Sequence, residues 1–305
     1  MTVANLSDIL NRALEKGYAV GYFEAWDSYS LEAVIETAEA LDSPAILGFG
    51  AAVTNPAWLD AGGVEELAVL ARVLAERAKV PTAVLFNEAQ TQAQALRALA
   101  AGCNCVMLDT SHLPWEENVR VTRDFVAAAH AAGAEVEAEL GRLPNAGPVG
   151  TPGQVTDPAQ AAHFVQTTGI DALAVSIGNV HLLSNGQAHV DLDLLQRIRQ
   201  ATPAPLVLHG GTGIPAGALG PAIARGVAKV NYGTRLKQVF LAGVREAVAT
   251  LPEPLNVHAF VGSRYDTDLL VAGQRRLRGL LGELMRLYGS AGQARTRAGI
   301  ADGQG

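Results

Sequence analysis

His209 closes the apolar run PLVLH, His181 follows the run DALAVSI within a few residues, and acids end comparable runs elsewhere. Two imidazoles and one carboxylate form a divalent-metal site with open coordination positions, suited to Zn2+ or a similar ion. Glu88, at the end of PTAVLFNE, and Glu139, in EVEAEL, are the candidate carboxylates. Asp109, closing CVMLD, is a further candidate ligand or a supporting acid, although an acid in that place equally caps the next turn. A lone interior histidine is more often simply hydrogen-bonded. Two histidines beside a rim of acids favour an ion. A second constellation is HGGTGIP (209–215) with VNYGT (230–234). Backbone N–H groups of glycines, a hydroxyl and a helix N-terminus cradle a phosphate, roles that fit Gly210, Gly211, Thr212 and Thr234.

Positioning these groups requires a scaffold. Eight short apolar runs, beginning with YAVGYF (18–23) and ending with AKVNY (228–232), alternate with amphipathic stretches such as SLEAVIETAEAL and VEELAVLARVLAERA. Continuous apolar strands alternating with helices predict a parallel sheet covered by helices. Eight units in one chain predict a closed (β/α)8 TIM barrel, whose active site lies at the C-terminal strand ends. A doubly wound sheet would carry a Gly-rich turn after its first strand, where this chain reads FEAWDSYS. One helix is expected before the first strand (6–15) and further helix over 262–290. The barrel is thus expected to span 1–290, followed by a small, polar, fraying tail (291–305). In the fifth strand Glu135, Glu137 and Glu139 share one face, and the lowest is expected to pair with an interior cation, Lys229 or an arginine.

Composition excludes other classes. The 305 residues are 49% hydrophobic and 17% charged, with net charge −7 and no basic block, which argues against nucleic acid. No apolar run reaches the ~20 residues that cross a bilayer. Cys103 and Cys105 suit buried, reduced thiols in a cytoplasmic protein. A Schiff-base mechanism needs a buried lysine near the substrate, and of the four lysines only Lys229 falls on a strand.

LVLHGGTGIP (206–215), GVAKVNYGT (226–234), ALAVSIGNVH (172–181), VMLDTSHLPWEENV (106–119), VEAELG (136–141) and MRLYGSAGQA (285–294) together resemble the class II, metal-dependent ketose-bisphosphate (fructose- and tagatose-bisphosphate) aldolases. The match runs in order over residues 5–294. It implies a (β/α)8 barrel, a homodimer or homotetramer, and reversible cleavage of a phosphorylated ketose into dihydroxyacetone phosphate and an aldehyde, with Zn2+ as Lewis acid. Residue by residue, His181 and His209 match zinc ligands, and Asp109 and Glu139 match acids that bind or support a mobile metal. Gly210, Thr212 and Thr234 match phosphate contacts, and Asn231 matches the residue that holds the dihydroxyacetone unit.

The departures lie at the reacting centre. Where the family reads His-Leu-Asp-His-Gly, with acid/base and third zinc ligand, this chain reads Leu85-Phe86-Asn87-Glu88-Ala89. Asn87 cannot carry a proton at any useful pH. Glu88 can ligate an ion, but its charge shifts preference toward harder metals such as Mn2+ or Mg2+. Leu182 stands for the family's Gly after the strand-six His, and Glu24 for its strand-one Asn. The loop after strand five (141–153) lacks the usual acid. One reading is a rebuilt site, in which Glu24 or Asp27 takes over proton transfer and Glu88 completes the metal site, for aldol cleavage or a related enolisation or epimerisation. The other is a sugar-phosphate-binding barrel without turnover.

Overall fold

The computed structural model describes residues 3–146 and 153–294. After helix α1 (Leu6–Lys16) come β1 (Val20–Glu24), α2 (Ser28–Ala40), β2 (Ala45–Gly50), a short α3 (Pro56–Trp58), α4 (Val64–Arg77), β3 (Thr82–Ala89) and α5 (Gln92–Ala101). Then follow β4 (Cys105–Leu108), α6 (Trp115–Ala131), β5 (Glu135–Leu140), α7 (Pro158–Thr168), β6 (Ala172–Val175) and α8 (Leu192–Ala201). The chain continues through β7 (Leu206–Leu208), α9 (Ala216–Ile223), β8 (Val227–Tyr232), α10 (Thr234–Val248), α11 (Val257–Phe260) and α12 (Leu269–Leu287).

The eight strands close in sequence order into one parallel barrel, β8 pairing with β1. It is a single (β/α)8 TIM barrel with added helices at both ends of the chain. Local signals set the boundaries. Asp27, Thr91, Asp157, Asp191 and Asp268 accept backbone N–H bonds as N-caps. Gly17, Gly102 and Gly169 end their helices in the left-handed conformation that costs glycine least.

Two apolar layers result. The larger fills the space between strands and helices. The smaller fills the barrel itself with Val20, Tyr22, Ile46, Leu85, Cys105, Ala174 and Val207, and α1 plugs its lower mouth with Leu6, Ile9 and Leu10. Strand parity therefore points Tyr22 and Glu24, Leu85 and Asn87, and the three β5 glutamates inward.

The structure departs from the sequence reading in three places. The lowest β5 glutamate, Glu135, meets no interior cation: it accepts from the Ser7 backbone N–H at 3.0 Å and from the Ser7 hydroxyl, fastening α1 to the barrel. Lys229 stands at the height of the middle one and pairs with Glu137 at 2.7 Å. The helix expected over 262–290 begins only at Leu269, as α12, and 261–268 form a loop after the short α11. Finally, 292–294 are tied to the body, Gly292 and Ala294 donating to the Leu41 and Asp42 carbonyls, whereas 295–305 of the expected tail lie outside the described residues. Among the described residues no helix is long and apolar enough to cross a membrane.

Candidate metal centre and substrate cleft

Three strand ends bring Glu88, His181 and His209 together at the upper mouth of the barrel. One ligand atom from each lies within 4.8 Å of the others. Glu88 Oε1 is 2.9 Å from His209 Nδ1 and 3.1 Å from His181 Nε2, and the two imidazole nitrogens are 3.3 Å apart. The far nitrogen of His209, Nε2, lies 2.9 Å from Glu137 Oε1 and 3.0 Å from Asn231 Nδ2. Lys229 completes this buried layer, donating to Asn231 Oδ1 at 2.6 Å and to Glu137. A carboxylate behind a ligating imidazole fixes the ring and raises its basicity, an arrangement typical of protein metal sites. The donor set therefore fits a divalent ion: two imidazoles and one carboxylate, clustered, oriented from behind, and open toward a cleft.

The electrostatics follow from burial and these pairings. Burial alone would push the Glu88 carboxyl up, but the two histidines outweigh it and hold it well below the usual range. Burial opposes charge on His209, yet Glu137 and Glu88 raise its pKa to about 9, and Glu88 raises that of His181 in the same way. Burial pushes Glu139 up to about 7, which the charges of His209 and His181 only partly offset.

The cleft beside the triad is lined by Glu24, Asn87, Gly210, Gly211, Thr212, Asn231 and Thr234, with Tyr22, Gly50, Leu182 and Gly233. Gly210 adopts φ 68°, and a Cβ there would run into the Val180 carbonyl. Gly211–Gly213 form one tight turn, and Thr212 Oγ1 accepts from the Arg235 N–H in the first turn of α10. The two glycine loops are thus joined at one wall, with a helix N-terminus beneath them.

Asp109 and Glu139 line an adjoining chamber on the other side of Glu88 and His181, with Ser111, His112 and Arg142. Glu139 Oε2 is 3.9 Å from His209 Nδ1. Asp109 accepts from the Ser111 N–H and hydroxyl, so its carboxylate caps a turn as well as facing the chamber. Asp27 does not reach the cleft. Its Oδ1 accepts from the Ser30 N–H and hydroxyl, closing a capping box at the start of α2. Trp115 packs against His163 and Phe164, away from the site.

Several members of the site escaped the sequence reading. Lys237, one turn into α10, donates to Glu24 at 3.0 Å and lies over the Trp26 ring. Burial raises the Glu24 carboxyl above its usual range, and Lys237 only partly offsets this. Tyr22 lies two residues before Glu24 on the same face, a period-two signal that could have found it. Glu88 and Leu182 are two of four non-glycine residues with positive φ among those described, both at 55°. Such backbone costs about 1–2 kcal/mol per residue and clusters at functional sites.

A barrel of this kind with a His/His/carboxylate cluster at its C-terminal rim defines a candidate metal-binding enzyme scaffold, and comparison with known proteins gives its class. The family described as "Fructose-bisphosphate aldolase class-II" matches residues 4–293. A "Fructose-bisphosphate aldolase" of Geobacillus stearothermophilus is 35% identical, covering 96% of this chain and 99% of that protein. A "Probable fructose-bisphosphate aldolase" of Bacillus subtilis is 34% identical over 96% of this chain and all of the relative. Among solved structures, the YdjI aldolase of Escherichia coli K12 superposes with TM-score 0.81 at 31% identity, covering 96% of this chain and 100% of that one. The chain belongs to the class II fructose-bisphosphate aldolase family. It is an aldehyde-lyase of a family that depends on divalent metal and acts on phosphorylated sugars.

Proposed function

We propose that the protein cleaves a phosphorylated ketose reversibly to dihydroxyacetone phosphate and an aldehyde, with a reacting centre rebuilt around Glu24, Asn87 and Glu88. The observation that carries this reading is the convergence of Glu88, His181 and His209 beside the two glycine loops in one cleft. Glu88, His181 and His209 would hold the ion, with Glu139 and Asp109 as further acids within the adjoining chamber. A divalent ion held there supplies Lewis-acid polarisation of the substrate ketone.

The chain's own residues do the rest. Backbone N–H groups of Gly210 and Gly211, with Thr212 and Thr234, bind the phosphate, and Asn231 orients the dihydroxyacetone unit. Asn87 cannot exchange a proton. Glu24 is the acid in the cleft whose raised pKa suits it to take one and return it. Zn2+ is the first expectation for the ion, with Mn2+ or Mg2+ favoured by the hard oxygen of Glu88. A homodimer or homotetramer is the assembly we expect.

Elemental analysis tests the site directly. Protein purified without chelating resin is expected to carry about one divalent ion per chain, and Glu88→Ala to lose it. Metal-free protein, or an ion retained undiminished in Glu88→Ala, would overturn the assignment.

A further inference from the structure

Of the two acids that line the cleft, Glu88 belongs to the metal cluster and Glu24 does not. The only hydrogen bond that the Glu24 carboxylate receives among the described residues comes from Lys237, whose Nζ is 3.0 Å from Oε1. Oε2 stands elsewhere: a Cβ on Gly233 would run into it, so it fills the space left by the missing side chain of the VNYGT loop. Oε1 is 3.7 Å from the point that a Cβ on Gly50 of β2 would occupy. Two glycines thus make room for the carboxylate, and Lys237 fixes which way it turns.

Lys237 is itself held. Its backbone N–H donates to the Gly233 carbonyl at 3.3 Å in the first turn of α10. Side chains of a helix lean toward its N-terminus, which carries the ammonium back to the barrel mouth. There Nζ lies 5.7 Å from the centroid of the Trp26 ring, within the roughly 6 Å of a cation–π contact. Trp26 meets Phe240 of α10 edge-on at 5.3 Å, and its backbone N–H donates to Ser30 Oγ. Trp26, Lys237 and Phe240 therefore form a clasp between the end of β1 and α10, over the seam where β8 pairs with β1. Neither Lys237 nor Trp26 is among the residues that line the cleft.

We propose that Lys237 is a positioning residue for proton transfer. Its ammonium holds Oε1 of Glu24 and leaves Oε2, in a fixed place beside the VNYGT loop, to take the C3 proton of the dihydroxyacetone phosphate unit and return it. This rests on the reading of Glu24 as the replacement base. Lys237 touches no substrate and acts through Glu24 alone. The same ammonium favours the ionised carboxylate, which a base needs: burial raises the Glu24 pKa most, Lys237 opposes it, and of the other facing charges Glu88 raises it and His181 lowers it.

The test measures C3 proton exchange of dihydroxyacetone phosphate in deuterated water and, separately, its binding by calorimetry. It uses metal-loaded wild type, Lys237→Met, Lys237→Arg, Glu24→Gln and the double variant Glu24→Gln/Lys237→Met. Methionine keeps an unbranched stem against Trp26 and removes only the ammonium. It is expected to slow exchange at saturation by about tenfold to a hundredfold, with affinity for dihydroxyacetone phosphate and Tm near wild type. Arginine, which keeps a cation, is expected to exchange faster than methionine. In the Glu24→Gln background the methionine change is expected to cost less than about twofold, because residues that act through one group are not additive. Wild-type exchange in Lys237→Met would overturn the proposal. Weaker binding at an unchanged rate would do so too, by making Lys237 a substrate contact, as would an equal loss with and without Glu24 or an arginine variant no faster than methionine. Wild-type exchange in Glu24→Gln would instead remove the reading of Glu24 as base, and the proposal with it.

Discussion

The wall of the cleft built by β7 and β8 and the wall built by β1 and β3 are made differently. On the first, His209, Asn231 and Lys229 interlock with Glu137 in a buried network, and the glycine loops bind each other through backbone and Thr212. On the second, Tyr22 Oη and Asn87 Oδ1 lack hydrogen-bond partners among the described residues, Glu88 sits at φ 55°, and Glu24 shares its charge with a half-exposed lysine. The side chains of the first wall are tied to one another and serve as a frame. Holding and reacting fall on adjoining arcs of one barrel mouth, β8 pairing with β1.

The sharpest way to break this contrast is to damage the frame. His209→Ala leaves Glu137 and Glu88 without their shared cationic partner in a fully buried layer. We expect a loss of about 3–5 kcal/mol of stability together with the bound ion and all turnover, read by denaturant melts and elemental analysis. A change on the adjoining β1/β3 wall should spare the fold. Glu24→Gln is expected to lower turnover by about 10²–10⁴-fold while Tm and phosphate binding stay near wild type, and an unchanged rate would remove Glu24 from proton transfer.

The smallest effect is on pH dependence. In metal-free protein His209 has a pKa of about 9, above the ordinary 6.5. Its charged form therefore adds stability that is complete below about pH 6.5 and is lost as pH rises through about 9. Calorimetry of the metal-free protein should show Tm falling over that interval. A ligating imidazole must be neutral, so metal affinity runs the other way, rising with pH up to about 9 and releasing protons on binding. A pH-independent affinity would mean that His209 does not ligate.

The contrast also explains how much was legible in the residues alone. The frame was readable because its chemistry is contiguous: HGGTG and NYGT each place several functional groups within five residues, and the barrel's alternation repeats eight times. Glu88, His181 and His209 were readable as strand-end residues once the barrel was assumed. The reacting wall was harder, because it is assembled across three strands. Tyr22 reads as an ordinary apolar-strand aromatic until the closed barrel points it inward beside Glu24. Asp27 and Glu24 look equivalent in FEAWD, and only the capping box at α2 separates them. Glu135 and Glu137 differ only in height within the barrel, which decides whether Ser7 or Lys229 is the partner. Leu182 and Glu88 gave no sign of their left-handed backbone, which for Glu88 falls where β3 shifts register against β4.

The central claim, that a metal site and a replacement base work together on a dihydroxyacetone phosphate unit, is tested most directly by proton exchange. Dihydroxyacetone phosphate is incubated with the protein in deuterated water, with and without a chelator, and its C3 protons are followed by NMR. The account predicts exchange that disappears with chelator and in Glu24→Gln. Absence of exchange in folded, metal-loaded protein would contradict it.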